Sequence, residues 1–159
     1  MIVVSDTSTI TNLHKVHQVD LLHIVFGTII VPKGVYDELA VIPSQKLLLD
    51  AKPWIEVKEA TDRELYSKLR EHLDHGEAEA ISLSVDLDAD FLIIDEQKGR
   101  QVAKNYGLTI IGLLGVLLEA KSRGALTAVK PTLEALINEH DFRVSKSLFK
   151  MVLKQAKED

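Results

Sequence analysis

The chain has 159 residues, 46% of them hydrophobic, no cysteine and a formal net charge of −5. A chain of this order folds as one domain that buries about two-thirds of its extended surface. Without cysteine there is no disulfide, thiolate metal site or Cys nucleophile, and the acidic balance argues against coating nucleic acid through bulk charge.

No apolar run approaches the roughly 20 residues a bilayer requires, so no membrane partner is expected. Met1 leads straight into an apolar run, so no leader segment is expected, and the absence of cysteine makes a reducing cytoplasm the simplest setting. Ile2-Val3-Val4 is apolar at every position, which marks a strand covered on both faces and hence central in a parallel sheet. Asp6-Thr7-Ser8 can cap a helix running through Ile10, Leu13 and Val16, and a second piece through Leu21, Leu22 and Val25 ends at Gly27. A strand follows at 28–31, and Pro32 takes the first position of a helix reaching Ala40. A short helix is expected over 44–51, and Trp54-Ile55-Glu56-Val57 alternates as a half-exposed edge strand does. A polar helix over 62–73 is broken at Asp74-His75-Gly76, and another spans 77–87. The strand at 91–94 precedes a helix over 97–106 that Gly107 stops. A strand at 108–111 and an apolar helix over 112–123, closed by Gly124, come next. Helices near 130–138 and 145–157 finish the chain.

Strands alternating with helices, several of the strands wholly apolar, indicate an α/β fold. It is a three-layer α/β/α sandwich with a mostly parallel central sheet, forming a single domain over 1–159 on which the C-terminal helices (about 129–157) pack. No G-x-G-x-x-G follows a strand and no G-x-x-x-x-G-K-[ST] occurs, which sets aside dinucleotide and phosphate-loop binding.

Ligands of parallel sheets bind beyond the carboxyl ends of the strands, where Asp6 and Asp95 would lie. Advancing about 100° per residue from Glu77 gathers Ala80, Ile81 and Leu87 around it and turns Glu79 to water. The same construction on the helix after Pro32 puts Glu38 at the apolar margin and turns Asp37 away. Each acid has an ordinary reading: Asp6 a helix cap, Asp95 a turn residue, Glu77 a first-turn complement to the helix dipole and Glu38 a solvated residue. Together they deliver four carboxylates to one sheet edge. At about 5 Å and an effective dielectric near 20, each like-charged pair costs roughly 3 kcal/mol, so the acids take up protons or hold a cation. Oxygen ligands favour Mg²⁺ or Mn²⁺ over zinc, and such an ion grips a phosphodiester and activates water. Hydrolysis of a nucleic-acid backbone suits that chemistry.

These residues resemble the PIN-domain ribonucleases, in a branch related to the VapC toxins. The resemblance runs over nearly the whole chain. It rests on Val4-Ser5-Asp6-Thr7-Ser8 with Asn12, Val31-Pro32 with Val35-Tyr36-Asp37-Glu38-Leu39, and Gly76-Glu77-Ala78-Glu79-Ala80-Ile81. Ile94-Asp95-Glu96 with Gly99-Arg100, and Gly112-Leu113-Leu114-Gly115 with Ala120-Lys121 and Gly124, complete it. It implies that Asp6, Glu38, Glu77 and Asp95 form the catalytic and metal-binding quartet, supported by Ser8 and Asn12. It also implies a Mg²⁺- or Mn²⁺-dependent endoribonuclease that prefers single strands, with an antitoxin protein as partner and a homodimer as the working state. The apolar helices at 10–25 and 112–123 would supply the dimer interface. Two positions depart from the toxins, which carry Asp where this chain has Glu77 and Thr or Ser where it has Ile93. Both bear on metal affinity and turnover more than on the fold.

Lys98, Arg100 and Lys104 follow Asp95 closely. Arg100, then Lys98, are the candidates to contact RNA phosphates, since a guanidinium grips phosphate bidentately. Lys146, Lys150, Lys154 and Lys157 fall at helical spacing and read as a solvated face. His14-x-x-His17 and His72-x-x-His75 lack carboxylate or thiolate partners and read as surface histidines. A PIN-fold binding module without catalysis is the alternative from another class. A phosphatase of the haloacid dehalogenase type needs a second Asp two positions after the first, where this chain has Ser8.

Overall fold

The apolar run after Met1 forms the middle strand of a five-stranded sheet in a computed structural model that describes all residues, 1–159. The strands are β1 (Val3–Ser5), β2 (Ile29–Pro32), β3 (Ile55–Lys58), β4 (Phe91–Ile93) and β5 (Ile110–Ile111), in the order β3-β2-β1-β4-β5. Every neighbouring pair is parallel, and Val3, Val4 and Ser5 of β1 stand opposite Phe91, Leu92 and Ile93 of β4. Period-two alternation divides the strand residues between two cores. Val3, Ile29, Val31 and Ile93 face one, and Val4, Ile30, Leu92 and Ile94 face the other.

Ten helices surround the sheet: α1 (Thr7–Lys15), α2 (Leu21–Phe26), α3 (Lys33–Ala40), α4 (Pro43–Asp50), α5 (Arg63–Leu69), α6 (His75–Asp86), α7 (Gln97–Asn105), α8 (Leu113–Ser122), α9 (Lys130–His140) and α10 (Lys146–Gln155). The first core draws Leu13 from α1, Leu22 from α2, Val35 from α3, Leu117 from α8, Leu133 from α9 and Val152 from α10. The second draws Leu69 from α5, Ala78, Ile81 and Leu83 from α6, and Ala103 from α7. The result is the expected α/β/α sandwich, with a wholly parallel sheet. Leu21, Leu22 and Val25 of α2, with Leu113, Val116 and Leu117 of α8, sit in one internal cluster. Those apolar side chains, assigned to a dimer interface above, are buried within the chain.

Local chemistry moves some boundaries. Pro32 closes β2 opposite Lys58 and caps α3 from outside, with φ −59° and ψ 144°, an extended conformation natural to proline. Asp74 opens a helix where a break was expected. Its side chain accepts from the Glu77 amide at 2.8 Å while Glu77 Oε2 accepts from the Asp74 amide at 3.3 Å, a capping box that starts α6 at His75. At the sheet margins, β3 carries exposed Glu56 and Lys58, and β5 is two residues long.

The strand order fixes where a ligand can bind. From β1 the chain adds β2 and β3 on one side, then crosses over to add β4 and β5 on the other. The direction reverses between β1 and β4, and the crevice at such a reversal is where parallel sheets bind ligands. No helix is long and apolar enough to cross a membrane.

Candidate active site

Asp6 follows directly on β1, and Asp95 follows β4 after a single intervening residue, Ile94; these two strands flank the crevice. Asp6 caps α1 through Oδ1, which accepts from the Thr9 amide at 3.1 Å. Its Oδ2 accepts from Ser8 Oγ and from the Asp95 amide, each at 3.2 Å. The cap reading and the site reading therefore describe one carboxylate. Asp6 is 4% exposed. Burial pushes its carboxyl from 3.8 up to about 6; the Thr9 and Asp95 amides oppose this and the Asp95 charge adds to it.

The Asp95 side chain turns toward α8, where Oδ1 accepts from the Leu113 amide at 3.2 Å. Gly112 permits this approach. A Cβ there would lie 3.0 Å from Asp95 Oδ1 and 2.6 Å from Arg100 Nη1.

Glu77 is partly buried rather than central to a buried face. Its Oε1 and Cδ lie 3.5 Å from where a Cβ on Gly99 would stand, so the carboxylate rests against the first turn of α7. Partial burial raises its carboxyl above the ordinary range. The Asp74 charge adds to that and the Asp74 amide opposes it, while Glu96 and Asp6 push the same way as burial. Glu38 reaches in from α3. A Cβ on Gly76 would lie 3.3 Å from Thr7 Oγ1, 3.5 Å from Glu38 Oε2 and 3.7 Å from Asp74 Oδ1, so oxygens from α1, from α3 and from the α6 cap gather over the bare start of α6. Thr7 Oγ1 is buried without a hydrogen-bond partner.

Asp6, Glu38, Asp74, Glu77 and Glu96 line one cleft of about 370 Å³ with Thr7, Ser8, Thr11, Asn12, Gly76 and Lys15, and no hydrophobic residue takes part. Three of the four expected acids and both expected supports are thus brought together. Asp95 forms the dividing wall, its amide on Asp6 and its carboxylate in the neighbouring groove. None of these six acids is in an ion pair. No three of the chain's histidine and carboxylate side chains stand close enough to enclose an ion between them.

Asp74 and Glu96 belong to the cleft and were not singled out in the sequence. The Asp74-x-x-Glu77 spacing of a capping box was the available signal for the first; Glu96 gave none beyond following Asp95. Glu79, read as pointing to water, is buried instead and pairs with Arg63 Nη1 at 2.9 Å. α6 lies between the sheet, α3 and α5, so it has no single solvent face. Arg100 lines the groove beside Asp95, whereas Lys98 is exposed and lines neither cavity. His17, His72 and His75 are exposed and His14 is partly buried; the His75 ring nitrogen Nδ1 hydrogen-bonds Tyr66 Oη at 2.6 Å.

A family model, DUF3368, described as a PIN domain, matches residues 2–158. No curated protein and no solved structure matches the chain.

Proposed function

The chain belongs to the PIN-domain family, and from that premise we propose that it is a Mg²⁺- or Mn²⁺-dependent endoribonuclease. PIN domains are generally nucleases and typically use divalent metals, so the coarse class follows from membership. The observation that carries the finer reading is the cleft itself: five carboxylates at the reversal point of a parallel sheet, none matched to a cation of the chain.

The donors suit a hard cation, being carboxylate and hydroxyl oxygens without sulfur. Mg²⁺ retains several waters and needs only one or two protein carboxylates together with substrate phosphate, so a closed cage is not required. By the resemblance the ion belongs to Asp6, Glu38, Glu77 and Asp95; as these acids stand, one or two of them would hold it, with Asp74 and Glu96 adding negative charge around it. Bound there, it would neutralise a phosphodiester and lower the pKa of an attacking water. The chain's own part is positional. Ser8, Thr9 and the Asp95 main chain fix the Asp6 carboxylate, and the capping box fixes the first turn that carries Glu77.

Single-stranded RNA incubated with Mn²⁺ tests the reading. Cleavage is expected from the wild type, none in EDTA, and none from Asp6→Asn. Asp37→Asn, an exposed acid paired with Lys33, should cleave normally. The other reading, a PIN-fold binding module without turnover, is favoured by the Asp95 carboxylate being turned to α8. A wild type that neither cleaves nor gains thermal stability from Mn²⁺ decides for the module. A toxin role with an antitoxin partner and a homodimer extends the reading from the VapC resemblance alone; co-purification and solution mass test it.

A further inference from the structure

Beyond the Asp95 wall lies a second groove of about 620 Å³, bounded by α7, β5, the start of α8 and Leu148 of α10. Helical spacing sets Gln97, Arg100, Gln101 and Lys104 on one face of α7, and all four line this groove. Its charge is opposite to that of the cleft. The cleft holds five carboxylates and one ammonium, whereas the groove holds one carboxylate, Asp95, against a guanidinium and an ammonium. Neither Arg100 nor Lys104 is in an ion pair. Arg100 is already positioned, since Nη1 donates to the Ile94 carbonyl at 3.0 Å, while Lys104 is exposed and free to reach. Leu114 and Leu148 contribute apolar surface, and Leu148 is 37% exposed.

Cations, side-chain amides and an apolar surface match three parts of an unpaired nucleotide: phosphate, base edge and base face. We propose that this groove binds the nucleotide next to the phosphate held in the acidic cleft, so that a single strand of RNA crosses the Asp95 wall. The placement of the neighbouring phosphate rests on the nuclease reading; strand binding by the groove does not. A peptide would also find apolar surface here. Two unpaired cations beside the wall where a phosphate arrives favour the nucleic acid.

The test is fluorescence anisotropy of a short fluorescein-labelled single-stranded RNA, with Ca²⁺ replacing Mn²⁺ to hold back turnover, over a salt series. Lys104→Glu and Leu148→Glu, on different helices, should each weaken binding at least tenfold. Lys104→Glu should also flatten the salt dependence by roughly 0.7 in log–log slope. Lys68→Glu, on α5 and lining neither cavity, should bind as the wild type does. If all three variants bind like the wild type, the strand runs elsewhere and the proposal falls. If the wild type binds no single strand, the proposal also falls and the groove is left to a protein partner. Cleavage with Mn²⁺, scored in parallel, separates the two readings. Variant-sensitive binding without cleavage keeps the groove and removes the nuclease; cleavage with variant-insensitive binding does the reverse.

Discussion

The Asp95 amide donates to the Asp6 carboxylate over 3.2 Å, joining residues 89 positions apart. One acid is held by the main chain of the other, so the site is built on two buried strands and inherits their rigidity. Asp6 cannot shift unless the end of β4 shifts with it.

Burying the Asp6 carboxyl carries a stability cost at neutral pH. With a carboxyl at about 6 against 3.8 in the unfolded chain, folded Asp6 binds its proton more tightly than the unfolded state does. Its contribution therefore declines as pH rises from about 4 to about 6 and stays low above that. Asp6→Asn imitates the protonated acid and should remove the decline. The metal-free variant is expected to be more stable at pH 7.5 by about 2 kcal/mol, several degrees in a chain of this length, and equal to the wild type near pH 4. Thermal melts across pH measure this, and a variant melting lower at pH 7.5 would show that the lost hydrogen bonds outweigh the buried charge.

Glu79 has a side chain 6% exposed and one hydrogen-bond partner, Arg63 Nη1 at 2.9 Å. The Arg63 guanidinium also stands 4.0 Å from the Tyr66 ring centre. Arg63→Ala strands a buried carboxylate and should cost about 2 kcal/mol, less than a fully buried pair because the arginine is half-exposed. Glu79→Gln should cost less, since its amide oxygen still accepts. Urea unfolding of both variants gives the comparison, and Arg63→Ala matching the wild type would mean that the carboxylate reaches water.

Gly34 lies where α3 meets α6. A Cβ there would lie 2.5 Å from His75 Nε2 and 2.9 Å from Glu79 Cγ. The histidine ring can swing aside, but Glu79 is held by Arg63. Gly34→Ala should cost about 1–3 kcal/mol by overpacking. It should also reduce cleavage in protein that is still folded, because Glu38 rides on α3 and Glu77 on α6. Adding His75→Ala should recover part of the stability, and strictly additive effects in that double-mutant cycle would exclude the contact.

Glu158 joins the C-terminus to the start of α9. Burial alone would lift its carboxyl, but the Lys121 ammonium at 2.9 Å and the amides of Val129 and Lys130 outweigh it and bring it from 4.5 down to about 2. A folded value below the unfolded one contributes stability above about pH 4.5, which is lost as pH falls toward 2. Glu158→Gln should cost about 1–2 kcal/mol at pH 7 and nothing near pH 2. A loss that persists unchanged in acid would point to packing instead of charge.

The sheet was legible because its strands are buried on both faces. Ile2-Val3-Val4 and Phe91-Leu92-Ile93-Ile94 announce themselves by composition, and a carboxylate after each marks the carboxyl edge. Glu38 was legible from its place at the margin of an amphipathic helix. Glu79 was not, because a helical wheel assumes one buried face and cannot see Arg63 arriving from α5. Nor does a wheel show which side of a strand end a carboxylate will take. Asp95 is drawn to α8 by an amide that the chain supplies only at Leu113.

A two-residue strand on one margin and a strand studded with Glu56 and Lys58 on the other leave no long row of free amides and carbonyls. A second molecule has no template along which to lay down its own backbone. Crowded copies of this chain are therefore poorly disposed to fibre growth by edge extension.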